Sequence, residues 1–138
     1  MIQLIFNIFP ISTNKLYVNI PGQKRRFIST EGKRFKATIE EEVKKLINNK
    51  EYLLYLSSLE GKKLTVAMEV SSDKWFLKDG KTVRKIDIEN TAKATLDSIF
   101  TAFKDSDIDL DDKQIFELIL TKKVGLQDST LVQISELP

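Results

Sequence analysis

Four carboxylates and one ammonium group in this chain are spaced to act on a phosphate. Asp87 and Glu89 flank Ile88 where a predicted strand turns into a helix. Residues two apart point the same way on extended backbone, so both carboxylates are expected to converge on one ion. The helix that follows offers free N–H groups and a positive dipole end, which favours ionised carboxylates. Those are the forms that ligate Mg²⁺. Asp111-Asp112, just before a strand predicted from about Ile115, would supply the opposite wall. Lys93 lies four residues after Glu89 and four before Asp97, so all three share one helix face. There it is either a fixed cation for charge building on a phosphate oxygen or the centre of two intrahelical ion pairs. The plainer reading of Asp87 and Glu89 is a helix N-cap and a first-turn acid.

Composition narrows the chemistry. The chain has no histidine and no cysteine, which excludes histidine-based acid–base catalysis, serine-triad chemistry and typical zinc sites. Hydrolysis must then rest on carboxylates, lysines, hydroxyls and a hard metal ion, expected to be Mg²⁺ with Mn²⁺ as a substitute. No organic cofactor is expected. The acidic stretch Asp105 to Asp111 resembles a calcium loop only superficially. An EF-hand needs glycine at the sixth position and glutamate at the twelfth, where this chain has Leu110 and Phe116.

The net charge of +2 hides an asymmetry. Residues 1–86 carry 17 Lys/Arg against 9 Asp/Glu, and residues 87–138 carry 5 against 11. A basic half implies a polyanionic partner. An acidic half would repel that partner unless cations lie between them. Lys24-Arg25-Arg26, beside the Pro21-Gly22 turn and preceded by Lys15, are expected to track phosphates and position a duplex without reading its sequence. Trp75 and Phe76, among several lysines and arginines, either stack on unpaired bases or pack on the sheet.

These groups must be carried by a fold. With 138 residues, 41% hydrophobic and 30% charged, the chain fits one globular domain over residues 1–138. No apolar run approaches the length of a membrane span, so a cytoplasmic protein with no membrane partner is expected. Alternation predicts a strand over Gln3 to Phe9, a short strand over Tyr17 to Ile20, and a half-buried strand over Leu64 to Val70. Phe35, Ile39, Val43, Leu46 and Ile47 mark a helix opening at Ser29 or Thr30. Tyr52 to Leu59 either extends it or forms a second helix. Trp75 to Ile86 reads as a hairpin through Asp79-Gly80. A further helix runs from Asp87 or Ile88, with Ala92, Leu96, Ile99, Phe100 and Phe103 inward. Ile115–Leu120 and Leu131–Ile134 close the chain as strands. The class is α+β: a mixed β-sheet with two main helices packed on it.

On these residues the chain resembles the RusA family of Holliday-junction resolvases. Asp87-Ile88-Glu89-Asn90-Thr91-Ala92-Lys93 followed by Asp97 is similar to the family's D-x-D-N-x-x-K-x-x-x-D pattern, with glutamate where aspartate is usual. Leu110-Asp111-Asp112-Lys113-Gln114-Ile115 and Lys122 resemble its D-D-x-Q block and later strand lysine. Pro10-Ile11-Ser12-Thr13-Asn14-Lys15-Leu16-Tyr17 and Ser29-Thr30-Glu31-Gly32 resemble its N-terminal loop and helix opening. The resemblance implies Asp87, Glu89 and Asp112 as catalytic metal ligands, Asp111 as a secondary one, and Lys93 as the essential lysine. It also implies DNA contacts at Asn14, Lys15 and Lys122, and a homodimer that nicks two opposed strands of a four-way junction. A flap or branched-DNA nuclease of relaxed specificity, or a DNA-binding module whose acids are structural, are the competing readings.

Overall fold

The computed structural model describes residues 1–138. Strand β1 (Ile2–Phe6) buries Ile2, Leu4 and Phe6 and exposes the residues between them, which is the period of two that a one-sided sheet imposes. After a helical turn, α1 (Thr13–Leu16), a small hairpin joins β2 (Tyr17–Asn19) to β3 (Arg26–Ile28). Then come helices α2 (Thr30–Ile47) and α3 (Lys50–Ser58), strand β4 (Leu64–Ser71), helix α4 (Ile88–Asp105), and strands β5 (Ile115–Lys123) and β6 (Ser129–Glu136).

The main sheet has the order β1-β6-β4-β5. β6 runs antiparallel to both β1 and β4, pairing Leu4 with Val132 and Met68 with Val132 from its two sides. β4 and β5 are parallel, so the chain must cross the sheet between them, and α4 makes that crossing. The helices cover the face bearing Leu4, Val66, Met68, Val132 and Ile134. The other face, carrying residues such as Gln3, Ala67 and Gln133, has no helix over it. The expected α+β class with a mixed sheet is what the chain adopts.

Local signals explain the helix boundaries. Ser29 caps α2 by accepting the Gly32 N–H at 2.9 Å. Asn49 accepts the Glu51 and Tyr52 N–H groups and opens α3, so Tyr52 to Leu59 belongs to a second helix rather than to an extension of the first. At the end of α4, Asp107 takes a left-handed conformation (φ 62°) and the Ile108 N–H bonds back to the Phe103 carbonyl at 2.9 Å. That reversal drops Ile108 and Leu110 into the core and anchors the acidic segment that follows.

Two expectations need correction. The first strand ends at Phe6, not Phe9. β3 occupies Arg26–Ile28, part of what reads in the sequence as a basic turn. The hairpin expected from Trp75 to Ile86 forms in a minimal version around the Asp79-Gly80 turn, with an antiparallel bridge from Phe76 to Val83 and two flanking backbone bonds, Leu77 N–H to the Thr82 carbonyl and Arg84 N–H to the Trp75 carbonyl. Trp75 anchors it: the ring is buried, donates its indole N–H to the Val70 carbonyl at 3.0 Å, and meets the Phe9 ring at 5.0 Å. One ring pins the short hairpin to the core. That burial also excludes Trp75 as a platform for bases.

Gly32 is where α1 and α2 touch. A Cβ there would lie 2.5 Å from the Leu16 carbonyl oxygen. Gly-to-Ala changes within helices usually stabilise, but here backbone would have to move. Gly32→Ala is expected to lower stability by about 1–3 kcal/mol, read as a fall in the urea midpoint. An unchanged or raised midpoint would show that the contact is not tight.

Candidate active site

Helix α4 decides which groups can meet. Ten of its residues are buried, among them Thr91, Ala92, Thr95, Leu96, Ile99 and Phe103. What remains outward is a narrow stripe, and Glu89, Lys93 and Asp97 fall on it at successive i, i+4 positions. These three line a groove of about 600 Å³ between α4 and β5, whose opposite side carries Asp112 and the apolar Phe116, Leu118 and Leu120. Two acidic segments far apart in sequence therefore share one groove with an ammonium group between them. Lys93 makes no ion pair with either helix neighbour; the salt bridges of the chain all lie elsewhere. Its charge is left facing the groove.

Asp87 takes a different place. It is the N-cap of α4, accepting the Glu89 N–H at 2.9 Å. Helical backbone begins at Ile88, so the extended geometry that would have aimed Asp87 and Glu89 together is absent. Each helical residue adds a turn of roughly 100°, and groups two apart diverge. Asp87 lines a second, wider groove of about 940 Å³, with Asn90, Asn14, Lys15, Arg34, Arg84 and Lys85 among its walls. The carboxylates expected to form one cluster thus flank the first turn of α4 from two sides.

The pair after α4 divides its work. Asp111 caps a 3₁₀ turn (Asp112–Gln114), accepting the Lys113 N–H at 2.9 Å and the Lys104 ammonium at 2.6 Å. Gln114 completes the turn by accepting the Asp111 N–H and donating to the Leu59 and Lys62 carbonyls. The Lys104 hydrogen bond, then the Lys113 N–H, hold the Asp111 carboxyl far below the usual range. Asp112 is pushed the other way, first by its hydrogen bond with Asp111, then by burial and the negative charges of Asp111 and Asp97. Asp111 is committed to the turn, and Asp112 is the member presented to the groove.

The sequence-derived DNA contacts also separate. Asn14 and Lys15, on α1, reach the wide groove beside Asp87. α1 is held there by the Thr13 hydroxyl donating to the Asn90 carbonyl at 2.9 Å and by the Ser29 hydroxyl donating to the Lys15 carbonyl at 2.7 Å. Lys24, Arg25 and Arg26 lie exposed on the β2–β3 hairpin, outside both grooves, with Arg25 over the Phe27 ring. Lys122 is a tie rather than a free cation: its ammonium donates to the Ile86 carbonyl at 2.8 Å and lies 4.8 Å from the Trp75 ring centroid. Arg34, which follows the basic run in sequence, and Lys74, Arg84 and Lys85, which sequence reasoning left unassigned, all line the wide groove. Their clustering depends on α2 and the Trp75 segment meeting, which local pattern does not reveal. Asp97 could be read as a helix-face neighbour of Lys93 and as the last aspartate of the resembled pattern, with no ligand role given to it.

The donor set bears on which ion would fit. Glu89, Asp97 and Asp112 offer only hard carboxylate oxygens, suited to Mg²⁺ or Mn²⁺ and to no soft metal. As placed, no group of three or more Asp or Glu side chains is gathered tightly enough to hold an ion. The residues fit the cation by chemistry and by shared groove, and exposed side chains such as Glu89 and Asp112 can turn toward it at small cost.

Compared with known families, the chain matches the one described as endodeoxyribonuclease RusA over residues 8–135, which spans both grooves. No curated protein matches it. No helix is long and apolar enough to cross a membrane.

Lys74 reaches the wide groove's edge while bound to Asp128 at 2.7 Å, and the Ser72 hydroxyl donates to the same carboxylate at 2.6 Å. Burial alone would raise the Asp128 carboxyl, but the Lys74 and Ser72 hydrogen bonds outweigh it and hold it below its ordinary value. A depressed carboxylate contributes stability above its unfolded pKa of about 3.9 and loses it as pH falls through the folded value. Asp128→Asn should therefore destabilise by about 1 kcal/mol at neutral pH, with the gap to the parent closing in acid. Urea midpoints across pH test this; a gap that persists or widens on acidification contradicts it.

Proposed function

Since the chain belongs to the RusA endodeoxyribonuclease family, we propose that it is a Mg²⁺-dependent resolvase of four-way DNA junctions, acting as a homodimer in the cytoplasm. The observation that supports this most directly is that Glu89, Lys93 and Asp112, drawn from two separated segments, line one groove. The binding-module alternative gives no reason for an unpaired ammonium among three carboxylates.

Glu89 and Asp112, with Asp97 beside them, are the residues of the shared groove that would hold Mg²⁺, or Mn²⁺ in its place, and Asp87 would add its carboxylate only from the capping position on the other side of the first turn of α4. Asp111 supports Asp112 from the turn. Such an ion lowers the pKa of a bound water and neutralises phosphate charge. The rest falls to the chain. Asp87 is immobilised as the α4 cap, so its position relative to Glu89 is set by helix geometry. Lys93, unpaired and one turn further on, stabilises negative charge on the phosphate as water attacks phosphorus and the bond to the leaving oxygen breaks. Asn14, Lys15, Arg34, Arg84 and Lys85 hold the backbone leading to Asp87, and Lys24, Arg25 and Arg26 extend that cationic track along the hairpin. These contacts position the duplex arms and make binding fall steeply with salt. A four-way junction has approximate two-fold symmetry, which a symmetric dimer meets with two equivalent sites.

The test is a labelled four-way junction incubated in Mg²⁺ and in EDTA. Paired symmetric nicks are expected with metal only. Asp87→Asn, Asp112→Asn and Lys93→Ala should each cut at least about 100-fold more slowly while still binding the junction in Ca²⁺. Full cleavage by Lys93→Ala would remove its assigned role. Equal cutting of flaps and forks would make this a branched-DNA nuclease of broad preference, and no cutting under any metal would leave a binding module.

A further inference from the structure

Asp111 and Asp112 are adjacent and chemically alike, yet only Asp112 lines the narrow groove. What separates them is Lys104, in the last turn of α4. Its ammonium donates to Oδ2 of Asp111 at 2.6 Å, while the Lys113 N–H donates to Oδ1 at 2.9 Å. Both oxygens of Asp111 are thereby occupied, and Asp112 is left as the carboxylate free to turn to an ion. The hydrogen bond with Asp111, then the negative charges of Asp111, Asp112 and Asp109, outweigh burial and hold the Lys104 ammonium above its ordinary value. This is the only salt bridge made by the acidic stretch from Asp105 to Asp112. Lys104 stands seven residues after Asp97, about two helical turns, so it prolongs the stripe that carries Glu89, Lys93 and Asp97. The ion pair therefore runs from the helix that fixes Glu89 to the segment that carries Asp112. The other side-chain ties of that segment go to the turn after α3: Gln114 donates to the Leu59 and Lys62 carbonyls, and Glu60 accepts the Asp109 N–H at 3.1 Å.

We propose that Lys104 is a positioning residue for the metal site: by clamping Asp111 to α4 it selects Asp112 as the ligand and sets its distance from Glu89. This rests on the reading of Glu89 and Asp112 as metal ligands given above, and adds to it a residue that stands outside the groove. Groups behind a ligand that fix its orientation govern how tightly the ion is held. The two lysines of the stripe then have separate tasks. Lys93 keeps its charge for the phosphate, and Lys104 spends its own on the acid that must stay out of the way. With the Lys104 ammonium removed, Asp111 regains a free oxygen and competes with Asp112 for the ion, and the turn loses its side-chain tie to α4.

Lys104→Met should weaken Mn²⁺ binding, followed by the electron paramagnetic resonance of the free ion, at least about tenfold. The Mg²⁺ needed for half-maximal junction cleavage should rise by a similar factor, with junction binding in EDTA unchanged. Lys104→Arg, which keeps the charge, should recover most of the affinity. Asp111→Asn retains a capping oxygen but loses the ion pair, so it should match Lys104→Met. The double variant should be no weaker than either single one, because the same clamp is removed only once. Lys113→Met removes a neighbouring exposed ammonium that makes no ion pair, and it should bind Mn²⁺ as the parent does. In the metal-free protein, hydrogen exchange at the Lys113 and Gln114 amides should quicken in Lys104→Met. Its urea midpoint should stay close to the parent's, since a half-exposed ion pair adds little to global stability. Parent-like Mn²⁺ binding by Lys104→Met overturns the proposal, as does an equal loss in Lys113→Met or a double variant whose losses multiply. The two readings fail separately: a parent that binds Mn²⁺ and cuts junctions while Lys104→Met is indifferent sinks the clamp alone, and a parent that takes up no Mn²⁺ sinks the metal site itself and the clamp with it.

Discussion

Everything in this molecule that bears on chemistry follows from how deeply α4 is buried. The helix crosses from β4 to the parallel β5 and packs against the sheet and α2, leaving one polar stripe in contact with water. A side chain in that position has little freedom of place: Glu89, Lys93 and Asp97 follow one another at a fixed rise along a helix whose other faces are locked by Leu96, Ile99 and Phe103. The Asp87 cap fixes where the helix begins. The reversal at Asp107, with Ile108 and Leu110 buried behind it, fixes how the chain returns to present Asp112. A core made for stability thereby also sets the spacing of the acids.

Electrostatics is organised on the same scaffold. The basic first half and acidic second half of the sequence do not form two lobes. α1, α2 and the Trp75 segment bring Lys15, Arg34, Arg84 and Lys85 around the start of α4, where the acidic half begins. The wide groove is dominated by cations and the narrow one by carboxylates, and the first turn of α4 divides them. A polyanion held in the first is delivered to the edge of the second, where its repulsion by the acids has to be met by Lys93 and by bound cations.

Much of this was legible in the sequence where local periodicity or a cap carried the signal. Alternation located β1 and β4. The spacing of Phe35, Ile39 and Val43 located α2, and the apolar set from Ala92 to Phe103 located α4. The residues sharing the narrow groove could be named because helical repeat is local. What failed was geometry that depends on a boundary or on distant packing. A helix starting one residue after Asp87 turns two neighbouring acids away from each other. The hairpin around Asp79-Gly80 could be read, but not that the Trp75 indole is what ties it to the core. Lys122 reads as a free cation until the Ile86 carbonyl is found beside it. The cations of the wide groove come from segments whose meeting no local pattern encodes.

The Lys122 tether has a mechanical consequence. The segment from Ser72 to Asp87 carries Arg84 and Lys85 and has little regular structure, so by itself it would transmit every fluctuation to the carboxylate at its end. Its last stretch is instead grounded on a long strand, paired with β4 in unbroken register from Glu117 to Lys123, through one ammonium–carbonyl bond, with the indole as backing. The segment is thus moored twice, by the buried indole near its start and by the strand at its finish, and its terminus inherits the stiffness of the sheet.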